Sequence, residues 1–536
     1  VERVWAKDPS KLNKFELYKL EKDGLDILDD LKRFAEEGFE AVTEDDLALL
    51  KWAGVYAQKP KTDGYFMMRV KIPGGILNSD QARTLAGISR DYGRNLMDVT
   101  TRQAIQFHWL TVQSLPDIYE RLDAVGLTPI EACGDCPRTI VGNPLSGIDP
   151  DELIDTSPIV EQVFRYFHKN REFSNLPRKY KISISGNMYN AGHAEINDLA
   201  FTPAIKEIDG EEVKGFHVMV GGGLSAKPHM AQKLDIFVRP EDVLKVAVAV
   251  TTIFRDYGYR EKRHHARLKF LVADWGAEKF KEELLKLTGP LPSRGKDMTL
   301  GWNAGYFYGV HKQKQPGLNY VGLSVPVGRL NADEMEELAR LADKYGDGSI
   351  RTCNSQNIIL ANIPDEKVDE LLQEKLLERL TPFPKPFMAY AVSCTGNEFC
   401  NLALVETKER MRMIAEYLDE HVELDTPVRI HVNGCPNSCG QQQIADIGLQ
   451  GSLTKIDGKM VDAFDLSIGG VLGPDAAFNT KLKGRIPGDQ VAKAIAHLVT
   501  FFKENRRDGE SFHAFVKRVG VAAFQEQLNQ FFGVAV

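Results

Sequence analysis

Residues 73–105, PGGILNSDQARTLAGISRDYG…RQAI, align without gaps on residues 326–358, PVGRLNADEMEELARLADKYG…SQNI, at a constant offset of 253. Eleven of the 33 positions are identical, among them Pro73 and Pro326, Asn78 and Asn331, Tyr92 and Tyr345, and Gln103 and Gln356. A second pair lies farther on. FHVMVGGGLS from Phe216 matches FDLSIGGVLG from Phe464, and each is followed by a helical pattern opening on proline, PEDVLKVAVAVTTIF and PGDQVAKAIAHLVTFF. Solenoid repeats run to about 20–50 residues, so this period excludes one. It implies that half of the chain was duplicated and that the copies fold about a pseudo-twofold axis.

Each copy reads as strand, helix, strand, then a block of strand hairpins closed by helices. YFMMRVKIP and NYVGLSVPV alternate and are rich in β-branched and aromatic residues, which predicts strands. SDQARTLAGISRDY and ADEMEELARLADKY predict helices opening at Ser/Asp-type caps. The class is therefore α+β. The stretch LTGPLPSRGKDMTLGWNAG, rich in Gly and Pro, is the expected linker between the halves. Upstream, Leu25, Leu28, Leu31 and Phe34 fall at helical spacing and Gly38 supplies a stop. That polar, helix-rich segment is read as an arm packed on the body with nothing catalytic in it.

Four of the seven cysteines cluster as Cys394-x5-Cys400 and Cys435-x3-Cys439. Four thiolates at two short spacings can hold one iron–sulfur cluster or one structural zinc. Zinc knuckles usually use C-x2-4-C, which the five-residue gap fits poorly. Gly396, Gly434 and Gly440 allow close backbone approach to an inorganic core, and Pro436 stiffens the second loop. Cys133 and Cys136 form a C-x2-C pair without a second pair to complete a zinc site, and Cys353 reads as a small buried hydrophobe. An odd, uneven set of cysteines argues against a disulfide framework and for a reducing compartment. No apolar run reaches the roughly 20 residues needed to cross a bilayer, and VERVWAKDPSK has no signal-peptide core, so a cytoplasmic protein with no membrane partner is expected. The formal charge of −8 argues against nucleic acid as a partner and means that an anionic substrate needs a local basic pocket.

Where the copies differ in charge, symmetric packing is not the reason. Arg69 stands opposite Gly322, and Arg102 opposite Ser355. The first copy also carries Arg138 in EACGDCPR and Lys179 and Lys181 in LPRKYK. On a strand those lysines share a face. Two ammonium groups that close repel unless an anion sits between them, and arginine adds a planar fork suited to oxyanions. The competing reading is a set of solvated surface charges. One half is built to hold an anion and the other a metal.

The run C-x5-C followed by NGCPNSC resembles the siroheme and 4Fe-4S binding motif of the assimilatory sulfite and nitrite reductases, over a span from about Trp52 to the C-terminus. The resemblance implies an internally duplicated, pseudo-twofold, three-domain architecture. Residues 1–64 would form the helical arm, 65–130 plus 317–385 a ferredoxin-like domain built from both repeats, and 131–295 the first siroheme and anion domain. A linker would span 296–316, and 386–536 would carry the cluster. It implies that Cys394, Cys400, Cys435 and Cys439 hold a 4Fe-4S cluster, with Cys439 bridging to the siroheme iron, and that Arg69, Arg138, Lys179 and Lys181 bind the substrate anion. Siroheme carries eight carboxylates, so its candidate donors are Arg102, Gln103, Gln106, His108, Arg267, Lys269, Lys312, Gln313, Asn357, Asn433 and Asn437. His108, on an alternating apolar strand, equally fits a structural histidine. GGGLS and IGGVLG are not dinucleotide fingerprints and read as tight turns or as close approach to cofactor.

Nitrite-specific relatives carry K-F-N where sulfite reductases carry K-F-K; the K-Y-K here favours sulfite reduction to sulfide. Nitrite reduction to ammonia is the alternative, and a non-catalytic, metal-stabilised binding protein is the alternative from another class. Without a flavin or nicotinamide fingerprint, electrons must come from ferredoxin or a separate flavoprotein. Tyr259 to Lys269, YREKRHHARLK, is the candidate docking patch. The Cys133–Cys136 pair before Arg138 departs from relatives whose loop has no second cysteine, and a Tyr56–Cys133 thioether is a further expectation.

Overall fold

The two repeat copies build two five-stranded antiparallel sheets that exchange strands. In the first, Val55–Ala57, Phe66–Val70, Ile105–Leu110 and Met97–Val99 are followed at the edge by Arg329–Leu330 from the second copy. In the other, Gly309–Lys312, Leu318–Leu323, Ile358–Pro364 and Ser349–Thr352 are followed by Ile76–Asn78 from the first copy. Each copy thus caps an edge that the other would leave unpaired. The structure, a computed structural model, describes residues 7–303 and 306–533.

Helices Ser79–Tyr92 and Ala332–Tyr345 coincide with the expected segments. Their caps are Asn78 and Asn331, not the Ser/Asp-type residues expected; each forms a reciprocal capping box, with Gln81 and Glu334. The helices pack side by side and have diverged in charge. Arg83 and Arg90 of the first copy stand, at the offset of 253, where the second has Glu336 and Asp343. Arg90 pairs with Glu336 at 2.7 Å, and Arg83 pairs with Asp343. Exact symmetry would have set like charges together. Both pairs are exposed and screened by solvent, so the gain lies in which copy faces which.

The second blocks are again matched sheets. Val141–Gly142, Ile182–Ile184 and Leu199–Ile208 run parallel, then Glu211–Val220 and Gln232–Lys233 antiparallel. Ala391–Ser393, Ile430–Asn433 and Ile447–Ile456, then Lys459–Ile468 and Thr480–Pro487, repeat that order. Helices Val243–Tyr257 and Val491–Asn505 cover them, each opening about a turn after its proline. GGGLS and IGGVLG are tight turns at the ends of the long strands, with Gly221 and Gly469 at φ 84° and 89°.

Two expectations need correction. The arm does contain helices, with Leu25, Leu31 and Phe34 buried and Gly38 ending Leu31–Glu37. It finishes, however, as strand Val55–Ala57, which pairs with Phe66–Val70, so Tyr56 belongs to a sheet. The segment expected as linker is also used: Lys296–Asp297 pairs with Leu199–Ile208, and Gly309–Lys312 is a sheet edge. Residues 304–305 of that segment lie outside the described residues.

The second edge strand explains why Gly322 replaces Arg69. Gly322 faces Gly309, and a Cβ built on it would sit 1.7 Å from the Phe307 carbonyl oxygen. No side chain fits there. Gly322→Ala is expected to destabilise the protein by about 1–3 kcal/mol. Gly87→Ala, in a helix where a Cβ would meet only the Arg121 guanidinium at 3.9 Å, should be neutral or stabilise by up to about 1 kcal/mol. Thermal unfolding midpoints compare the two, and an unshifted Gly322→Ala would remove the steric explanation.

Candidate functional site

Neighbouring parallel strands deliver the cysteines. Ala391–Ser393 runs directly into Cys394, and Ile430–Asn433 reaches Cys435 one residue later, so two loops leave the same sheet end together. Cys394, Cys400, Cys435 and Cys439 line one cavity of about 440 Å³. The Gly434 N–H donates to Cys394 Sγ at 3.2 Å, as suits a metal-bound thiolate. Asn433 accepts from the Gly440 N–H at 2.7 Å and donates to Gln442, fixing the second loop, while Asn437 lines the cavity beside Cys435. Burial, reinforced by Cys439, pushes the Cys394 thiol up to about 12, so holding it as a thiolate would take a cationic group beside it. Among the described residues no three His, Cys, Asp or Glu side chains converge on a single-ion position. A zinc ion needs sulfurs at about 2.3 Å; four sulfurs spread around one cavity fit a polynuclear cluster instead.

A smaller cavity, about 120 Å³, adjoins and shares Arg69, Cys394, Thr395 and Cys439 with the first. Arg69, Arg102, Arg138, Lys179 and Lys181 enter it from the first half, and Gln356, Ser393 and Lys408 from the second. The regular strand starts only at Ile182, yet the lysines still alternate about buried Tyr180. Tyr180 bridges Pro137, and its carbonyl takes the Arg138 N–H at 3.0 Å, so Arg138 and the lysine pair are held in register. Among the described residues neither ammonium has a hydrogen-bond or ion-pair partner. Burial, with Arg267 adding at Lys179 and with Lys179 and Arg102 adding at Lys181, holds both well below the ordinary lysine range. Burial lowers Arg102 to about 9; Asp198 opposes and Arg138, Arg267 and Arg69 assist. Arg69, Arg102 and Arg267 each keep a buried Nε without a partner. The one carboxylate in the lining, Asp98, is already taken by Arg329 at 2.9 Å and His108 at 2.7 Å. These orphaned donors fit an anionic macrocycle together with a small oxyanion.

Gln106 joins the two walls. Its Nε2 donates to Thr395 Oγ1 at 3.1 Å, while its Oε1 accepts from Tyr56 at 2.6 Å and from Arg69. Arg69 also donates to the Tyr56 hydroxyl at 3.1 Å. Burial raises that hydroxyl above its usual range, with Arg69 opposing and the thiols of Cys133, Cys400 and Cys439 adding. Cys133 is a free, buried thiol. Arg102 donates to Asn197 at 2.9 Å and to the Thr139 carbonyl at 2.9 Å, and Arg267 donates to Asp198 at 2.8 Å.

Other candidate donors are engaged by the protein itself. Gln103 is wholly buried, exchanging hydrogen bonds with the backbone of Gly142 at 3.0 and 3.1 Å. His108 binds Asp98 and stacks on Phe399 at 4.0 Å, outside both cavity linings. Lys269 donates to the carbonyls of Leu224 and Lys227. Lys312 is exposed and pairs with Asp365 at 2.7 Å; Gln313 bonds Asn362. Asn357 caps the Val325 N–H and bonds Tyr308. The segment Tyr259 to Lys269 presents no basic face either. Arg260, Arg263 and Arg267 are held by Glu16, Asp135 and Asp198, and of its basic side chains only Lys262 and His264 are exposed. Lys408 and Thr101 were not anticipated. Lys408 is buried in the cavity wall and donates to the Val327 carbonyl at 2.6 Å; Thr101 donates to the Cys439 carbonyl at 2.9 Å. Neither stands in a spacing that marks it.

Comparison with known proteins agrees with this geometry. The family model for the nitrite and sulphite reductase 4Fe-4S domain matches residues 133–290 and 387–535, and that for the nitrite/sulfite reductase ferredoxin-like half domain matches 57–125 and 311–376. The ferredoxin–nitrite reductase of Synechococcus elongatus is 46% identical over 499 residues, 91% of this chain and 96% of that one. Sulfite reductase (ferredoxin) 1 of Mycolicibacterium paratuberculosis is 36% identical over 549 residues, 96% and 97% of the two chains. The solved structure of the Mycobacterium tuberculosis NirA protein superposes with a TM-score of 0.90 at 36% identity, covering 96% of this chain and 97% of that one.

Proposed function

The chain belongs to the nitrite and sulphite reductase 4Fe-4S family, and from that premise we propose that it is an assimilatory sulfite reductase of the cytoplasm. It is a ferredoxin-dependent enzyme carrying siroheme and a 4Fe-4S cluster. No described helix is long and apolar enough to cross a membrane.

The observation carrying the substrate choice is the pair of unpartnered ammonium groups, Lys179 and Lys181, entering one small cavity with Arg69 and Arg138. Sulfite presents three oxygens and up to two negative charges; nitrite presents two oxygens and one charge. Four cations complement the larger anion better. Siroheme with its cluster, when bound, supplies electrons one at a time to the anion's central atom. The chain's own groups do the rest. Arg69 and Arg138 hold oxygens through their forks, with Arg69 steadied by Tyr56 and Gln106. Sulfite takes six electrons and seven protons to give hydrosulfide and three waters. Lysines whose ammonium form is already disfavoured by burial and like charge release protons readily to departing oxygens. The second reading, nitrite reduction, is favoured by the higher identity to the Synechococcus protein.

Electrons should enter near the cysteine loops. Leu402 and Leu404 are 66% and 48% exposed beside Cys400, and Lys59 and Lys61 are exposed next to them. The two segments are joined by Lys59 N–H to Phe399 O at 2.8 Å and by Asn401 Nδ2 to Ala57 O at 2.9 Å. An acidic ferredoxin would find there an apolar centre with a basic rim.

Steady-state kinetics with both anions decide the substrate: sulfite should give the higher kcat/KM. Lys181→Asn should cut sulfite kcat/KM roughly ten- to hundredfold, the worth of one charged hydrogen bond, and nitrite far less; equal losses would end the sulfite reading. Lys59→Glu with Lys61→Glu should raise KM for ferredoxin severalfold while turnover with a small dye donor stays intact, and parallel losses would reject that docking face. A Tyr56–Cys133 thioether, formed by loss of two hydrogens to an oxidant such as dioxygen, should return one joined tryptic peptide on mass mapping. Two separate unmodified peptides would exclude it.

A further inference from the structure

The arm reaches the site through a knot of buried charge. Lys19, on helix Lys14–Glu21, is 1% exposed. Its Nζ donates to Asp135 Oδ2 at 3.0 Å and to the Leu176 carbonyl at 2.8 Å, and it contacts Glu16. Arg263 grips Asp135 with two bonds of 2.8 and 3.0 Å, and Arg260 grips Glu16 at 2.8 Å. The Asp135 carbonyl also accepts from the Leu176 N–H at 2.9 Å. Lys19 therefore ties together two loops, one ending at Arg138 and the other leading to Lys179 and Lys181.

The tie continues to the guanidinium itself. Arg138 Nε donates at 3.1 Å to the carbonyl of Gly134, the residue before Asp135. Gly134 has φ 96°, and a Cβ there would lie 2.8 Å from the Trp52 ring, so the loop lies flat on the arm. Trp52 accepts the Glu131 N–H at 2.7 Å and donates through Nε1 to the Ser174 carbonyl at 2.7 Å. Burial of ions costs several kcal/mol each before pairing, and apolar packing would hold an arm more cheaply. What an ionic knot adds is a fixed register between loops. We propose that Lys19 is a positioning residue for the anion site: through Asp135 and the Gly134 carbonyl it sets the direction of Arg138, and through Leu176 its distance from the lysine pair.

Lys19→Met removes the charge yet leaves Asp135 with Arg263 and Glu16 with Arg260, so the fold should persist. The expected result is normal iron and siroheme content per chain, with affinity for sulfite and nitrite, read from the shift of the oxidised enzyme's visible band, weakened about tenfold or more. KM should rise more than kcat falls, and Lys19→Arg should recover most of the affinity. Lys19→Met on an Arg138→Gln background should add little, since both act through one guanidinium. Unchanged anion affinity in Lys19→Met, or full additivity with Arg138→Gln, overturns the proposal. If Lys19→Met does not fold, Asp135→Asn takes its place, and folded Asp135→Asn with unchanged affinity overturns it equally. The inference rests on Arg138 as an anion contact. Unaltered affinity in Arg138→Gln alone would sink that reading, whereas an impaired Arg138→Gln beside an unimpaired Lys19→Met would sink only this one.

Discussion

A cavity lined by six cationic side chains, whose single carboxylate is already engaged, is the constraint behind the rest of the structure. Two like charges about 4 Å apart repel by roughly 4 kcal/mol at the effective dielectric of a protein site. Such a cluster persists only where the backbone leaves it no retreat. Here each cation rises from a segment fixed by something else. Tyr180 plugs the core between the lysines, Asp198 accepts the Lys181 N–H at 2.8 Å, and the Arg138 loop lies under the arm. Preorganised positive charge facing the place where an anion will sit is what reductive removal of oxygen requires.

Duplication made that arrangement possible and also concealed it. Positions that stayed the same serve the frame. Gln103 and Gln356 both take positive φ, 61° and 68°, and the side-chain amide of each exchanges hydrogen bonds with a strand of its own second block, at Gly142 and Ser393. Some positions that diverged line the cavities or answer to them. Asn190-Ala191-Gly192-His193 corresponds to Ser438-Cys439-Gly440-Gln441, with the outer residues at φ 53° and 51° in one copy and 59° and 59° in the other. One turn therefore presents a methyl group in the first half and the Cys439 thiol, at the shared wall of the two cavities, in the second. Arg429 is the counterpart of Lys181. It has been silenced: it folds onto Asp446 at 2.8 and 3.0 Å and stacks on Trp302 at 4.2 Å.

What sequence made legible was whatever depends on local order. The two repeat helices, the alternation of Lys179 and Lys181 and the cysteine spacings need only neighbours along the chain. Side chains whose role depends on a distant partner were not legible. His108 is structural because Asp98 and Phe399 meet it, and neither meeting is encoded near residue 108. The basic run from Tyr259 to Lys269 resembles a docking patch only until Glu16, Asp135 and Asp198 take its arginines. The arm was read as inert because Lys19 and Trp52 act through residues more than a hundred positions away.

The same economy bears on how such a frame accommodates different anions. Lys181 is tethered through its backbone: its N–H is held by Asp198, and its carbonyl by the Leu199 N–H at 3.1 Å. The side chain itself has no protein partner among the described residues, so exchanging it disturbs no hydrogen bond of the fold. Arg69 and Arg138 lack that freedom, since Tyr56, Gln106 and the Gly134 carbonyl are built around their guanidinium groups. Charge in the cage can therefore be adjusted at position 181 while the guanidinium groups of Arg69 and Arg138 stay in place. If that cage meets the anion, as proposed, position 181 is a place where its charge can change without disturbing the fold around it.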